Sequence, residues 1–135
     1  MNALDPTPAV PPTSAVPPAS AAPPASAMTH LADLAPLVEV QPESTVSRTV
    51  LTAEGTRIVL IAFDAGQELT EHTAAVPVLL RVLDGHLRIT AGGRTVDLLP
   101  NGVVHLTARL PHAVVAVEPS RMALTMLDPR LTAKP

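Results

Sequence analysis

"VLLRVLDGHLRITAGGRTVDLLPNGVVHL", residues 78–106, decides the fold class of this chain. Its short runs alternate: Leu87 and Ile89 fall on one side of HLRIT, with His86, Arg88 and Thr90 on the other. A period of two sends successive side chains to opposite faces of a strand, so such runs read as half-buried sheet. Between them lie Asp84-Gly85, Gly92-Gly93 and Asn101-Gly102. Such pairs reach positive φ at low cost and close tight hairpins.

The same pattern continues outward. The predicted strands are VSRTVL (46–51), RIVLIAF (57–63), VLLRVL (78–83), HLRIT (86–90), RTVDLL (94–99), VVHL (103–106), HAVVAV (112–117) and RMALTML (121–127). Glu54-Gly55, Ala65-Gly66 and Glu118-Pro119 supply the remaining reversals. Eight short strands with turns about every ten residues, and almost no helix, predict an all-β antiparallel sandwich or barrel. IVLIAF and HAVVAV are apolar on both faces, which demands two sheets and a further covering surface. A homodimer is the expected source of that cover.

Ahead of the strands, "THLADLAPLVEV" spaces Leu31, Leu34 and Leu37/Val38 helically, with Thr29 as the expected N-cap. Pro36 limits this to a short helical turn. Residues 1–27 differ in kind, with the near-repeat PPTSAV, PPASAA, PPASA from Pro11 onward. This stretch has no apolar face to offset its ordering entropy, so a disordered, semi-stiff Pro/Ala/Ser-rich tail is expected there. A single barrel domain is expected over 28–135, with Met28 as an alternative start. The tail lacks the positive n-region and continuous apolar h-region of a secretory signal, and the expected location is cytoplasmic.

Composition narrows the function. A formal net charge of −3 advertises no basic surface for nucleic acid. No apolar run approaches the ~20 residues that span a bilayer. Cysteine is absent and Phe63 is the only aromatic residue, which removes thiolate chemistry and stacking platforms. There is no phosphate loop and no nucleophile elbow. Ser47-Arg48 and Ser120-Arg121 read as strand-edge polar residues or dimer contacts.

The residues resemble a cupin, the small RmlC-like jelly-roll or double-stranded β-helix barrel. The first cupin motif is G(x)5HxH(x)3–4E(x)6G, and Gly66, His72 and Gly85 fall at its spacing. Ala74 occupies the second histidine position, and Val78 or Leu79 the glutamate position. Aligning the second motif, G(x)5PxG(x)2H, on His112 puts Asn101, Thr107 and Arg109 at its glycine, proline and second glycine. Residues 44–127 also resemble a group of short single-barrel cupins, mostly without assigned activity, through "SRTVL", "EHTA", "LPHA" and "MALTML".

The resemblance implies that His72 and His112 converge inside the barrel, where related proteins bind a divalent metal: Mn, Fe, Ni or Zn. Two imidazoles without a carboxylate make a weak metal site. A third ligand would come from Glu68, two steps of a strand period from His72 if the chain is extended there, or from His105. The leading expectation is therefore a barrel that binds a small, largely apolar molecule at His72 and His112, its metal site degraded. One alternative is a metal-dependent enzyme of dioxygenase, isomerase or decarboxylase type. Another is metal-free acid–base chemistry by the histidines. The last is a structural or sensory module. His30 and His86 are expected to face solvent.

Overall fold

A computed structural model describes residues 26–133. The chain divides into two units, Met1–Ala32 and Asp33–Pro135. In the first unit, residues 26–32 form neither helix nor strand, and the repeat from Pro11 lies outside the described residues.

The second unit opens with a 3₁₀ turn, Ala35–Leu37, whose N-cap is Leu34 rather than Thr29. Pro36 sits inside the first turn, where its missing N–H leaves no bond unmade, so it starts the turn instead of breaking it.

Nine strands follow among the described residues. They are β1 (Thr45–Ala53), β2 (Thr56–Phe63), β3 (Glu68–His72), β4 (Val78–Asp84), β5 (Leu87–Ala91), β6 (Arg94–Leu98), β7 (Val103–Leu106), β8 (His112–Ala116) and β9 (Ser120–Leu127). One sheet has the order β1-β2-β9-β4-β7 and the other β3-β8-β5-β6, with every pairing antiparallel. This is the two-sheet jelly roll that the alternating runs predict. The strand missed from sequence is β3. Its residues ELTEH hold a single apolar side chain, Leu69, so it shows no apolar period of its own.

The core between the sheets is aliphatic. Ile61, Phe63, Val78, Leu80, Val82 and Met122 from the first sheet meet Leu87, Ile89, Leu98, Val114 and Ala116 from the second. Each such side chain contributes roughly 1.5–3 kcal/mol on leaving water. Strand β2 is buried on both faces, as its sequence requires. Its Leu60 and Ala62 face away from the main core and pack with Ala123 under Val38, flanked by Leu34, Leu37 and Val40. The cover on that face is thus the chain's own segment 34–40, held down by a 2.8 Å hydrogen bond from Arg48 Nη1 to the Leu37 carbonyl. Of the two doubly apolar runs that suggested a homodimer, IVLIAF is covered within one chain, while the outer face of HAVVAV keeps Ala113 and Val115 half-buried and Val117 exposed.

The turns follow the glycine signals. Gly92 and Gly93 both have positive φ, 59° and 72°, the two-residue hairpin conformation between β5 and β6. Gly85, at φ 93°, lies against β9, where a Cβ would overlap Ser120 Oγ and the Pro119 carbonyl. Ser120 is not an edge or contact residue. It is fully buried, accepting from the His86 N–H at 2.9 Å and donating to the Glu118 carbonyl at 2.7 Å.

Candidate functional site: two tethered histidines in an aliphatic cavity

The site begins with a bulge. In the β3–β8 pair, Glu68 lies opposite Val115, Leu69 opposite Val114 and His72 opposite His112. Three steps along β3 therefore match two along β8. The extra residue reverses the face alternation, so His72 joins Leu69, Val114 and His112 on the side facing the core. The same bulge puts Glu68 on the opposite face, with Val115. The even spacing of Glu68 and His72 would share a face only in a regular strand.

The imidazoles of His72 and His112 lie with centroids 4.3 Å apart and planes inclined at 58°. Their tethers match. His72 Nδ1 donates to the Thr70 carbonyl at 2.8 Å, and His112 Nδ1 to the Leu110 carbonyl at 2.9 Å. A carbonyl can only accept, so in each neutral ring the proton resides on Nδ1 and Nε2 carries the lone pair. Neither Nε2 has a hydrogen-bond partner among the described residues. His112 is only 3% exposed, while His72 is exposed at the cavity rim.

Both rings line a cavity of about 330 Å³. Its walls are Ala74, Val76, Val78, Leu124 and Met126, drawn from the 73–77 loop, β4 and β9. The residues at the motif's second histidine and glutamate positions, Ala74 and Val78, thus line the same cavity as the two remaining histidines. Asp128 and Arg130 complete the rim, and no motif or spacing pointed to either. Arg130 grips Asp128 through both carboxylate oxygens, Nε at 2.9 Å and Nη2 at 3.0 Å. This ion pair, together with the Arg130 backbone N–H, holds the Asp128 carboxyl below its ordinary range and raises the Arg130 guanidinium. The pair comes to the rim because the chain after β9 is pinned to the β1–β2 turn, with Asp128 N–H donating to the Gly55 carbonyl at 3.0 Å. Fixing that position takes contacts distant in sequence, which no local pattern encodes.

His105 is not part of this group. It stands exposed on β7 opposite Leu79 and lines a separate cavity. His86 is not simply solvated: its Nε2 bonds Asp97 Oδ1 at 3.0 Å on the outer face.

The donor set does not fit a divalent metal. Two neutral nitrogens remain, valine and alanine fill the other motif positions, and catalytic metals usually hold three protein ligands. Among the described residues no group of three or more His, Cys, Asp or Glu is arranged to hold an ion.

Second-motif glycines have also been replaced without loss of backbone form. Asn101 and Arg109 both keep positive φ, 73° and 65°. The Arg109 N–H donates to the Ala74 carbonyl at 2.7 Å, so this left-handed residue anchors the loop that walls the cavity.

No protein-family model and no curated protein matches the chain. Solved structures do. A conserved protein of unknown function from Streptococcus pyogenes is 27% identical, with a TM-score of 0.67, over 75% of this chain and 89% of its own. A cupin superfamily protein from Desulfitobacterium hafniense is 25% identical, with a TM-score of 0.66, over 70% and 87%. An RmlC-like cupin from Desulfovibrio desulfuricans is 25% identical, with a TM-score of 0.64, over 74% and 96%. Two jelly-roll sheets, the histidines at both motif positions and these likenesses give the chain the single-barrel fold of the small RmlC-like cupins to which it is similar.

Proposed function

We propose that the barrel binds one small, largely apolar molecule carrying an O–H or N–H group, which it offers to His72 and His112 together. The observation that carries this reading is the matched tethering of the two rings. Each Nδ1 is committed to a backbone carbonyl, leaving the Nε2 acceptors of two rings, with centroids 4.3 Å apart, in a cavity whose walls are mainly aliphatic and whose rim carries the Asp128–Arg130 pair. About 330 Å³ is within the range of small-molecule sites, and apolar walls with few polar anchors suit a compact hydrophobic ligand. In this reading the ancestral metal site is degraded, and the protein acts in the cytoplasm as a binding barrel.

A matched pair of probes tests this. p-Cresol carries a donor hydroxyl and its O-methyl ether does not. The ether leaves the acceptors unpaired on burial, which costs about 1–3 kcal/mol. In a thermal-shift titration p-cresol should stabilise the full chain, the ether should bind at least tenfold more weakly, and His112→Ala should abolish the difference. Equal binding of both probes would refute the role given to the histidines. So would metal analysis finding one Mn, Fe, Ni or Zn per chain that is lost in both His72→Ala and His112→Ala.

A further inference from the structure

Strands β6 and β7 are consecutive in sequence, joined by Leu99–Gly102, yet each ends a different sheet. β6 pairs only with β5, and β7 only with β4, so the two sheets part along this edge. The opening is a cavity of about 530 Å³, larger than the one at the histidines and sharing no lining residue with it. Ile89, Val96, Leu98, Val104, Leu106 and Leu110 make it aliphatic, and the main core continues into its floor.

Its charge is one-sided. The ionisable residues lining it are Arg94 and His105, with no carboxylate, in a chain whose net charge is −3. Among the described residues neither side chain has a hydrogen-bond or ion-pair partner. Arg94 shares strand parity with Val96 and Leu98, which brings it to the cavity. Asp97, the acid on the same strand, has the opposite parity and is already bonded to His86 and Arg88 at 3.0 Å each. The guanidinium fork matches a carboxylate through two parallel hydrogen bonds. An aliphatic lining without aromatic rings suits an alkyl chain better than a flat ring.

We propose that this cleft is a second ligand site, distinct from the histidine cavity, which takes an amphipathic monocarboxylate. The alkyl chain lies between β6 and β7 and the carboxylate meets Arg94.

Calorimetric titration of the full chain with decanoate, decanol and an extended apolar tetrapeptide tests it, alongside methyl NMR. Decanoate should bind once per chain and shift the methyl signals of Val96, Val104 and Leu106. Decanol should bind at least tenfold more weakly. Arg94→Gln, a change at an exposed position, should weaken decanoate at least tenfold, and His72→Ala should leave it unchanged. The absence of saturable binding would overturn the proposal. So would affinity unchanged by Arg94→Gln, or affinity lost in His72→Ala, which would put the acid at the histidines and leave the reading of that cavity intact. Preference for the tetrapeptide, through the free edges of β6 or β7, would overturn it as well.

Discussion

Arg109 sits in the left-handed region at φ 65°, where a side chain costs roughly 1 kcal/mol and glycine costs little. Its N–H is bonded to the Ala74 carbonyl, so the local strain is held in place by the cavity loop. Arg109→Gly should therefore raise stability by about 0.5 kcal/mol at most, after allowing for the greater freedom of glycine in the unfolded chain. Urea denaturation reads this as a higher midpoint at unchanged slope. Gly85 presents the reverse case. With φ 93° and no room beside Ser120, Gly85→Ala combines backbone strain with overpacking, and should cost about 2–4 kcal/mol in the same assay. Both positions were legible in part. Spacing alone marked Gly85 as a motif glycine and Arg109 as a lapsed one, but only the coordinates give the backbone form that arginine retains.

At the scale of the element, legibility followed the apolar period. Strands such as β5 and β9, with apolar residues on alternate positions or throughout, stand within a residue or two of their expected bounds. β3 did not register because charges fill both of its faces, and its pairing with β8 is what makes it a strand. Its bulge was equally hidden, and that bulge alone decides that His72 shares the face of Leu69 while Glu68 does not. The histidine pair was legible through motif spacing, the Asp128–Arg130 rim was not. The cover over β2 was read as a need, and the chain's own segment 34–40 supplies it. Val38 is 4% exposed and packs on Leu60 and Ala62, so Val38→Ala should cost about 2 kcal/mol. The histidine cavity lies across the sheet from this contact, and p-cresol affinity in that variant should stay at the wild-type value.

For the molecule as a whole, three carboxylates held below their ordinary range contribute to its response to acid. Asp64 is held below its ordinary value of 3.8 by the backbone N–H groups of Glu43 and Ala65. Asp97 is lowered by hydrogen bonds from His86 and then Arg88, and Asp128 by Arg130. A carboxyl with a depressed folded value binds its proton more readily in the unfolded chain. Its contribution is therefore complete above the unfolded value and fades as pH falls through the lowered folded one. The urea midpoint should respond to these groups only below about pH 4–5, and Asp128→Asn should flatten that part of the curve. The central claim concerns the two imidazoles, which together give the aliphatic cavity its polar floor. Nitrogen-15 NMR of the histidine rings tests it most directly, since it distinguishes a protonated ring nitrogen from one bearing a lone pair. The account predicts Nδ1–H tautomers for both His72 and His112 in the neutral protein, and a shift of both Nε2 resonances on adding p-cresol. A proton on either Nε2, or a ligand that moves only one ring, would contradict it.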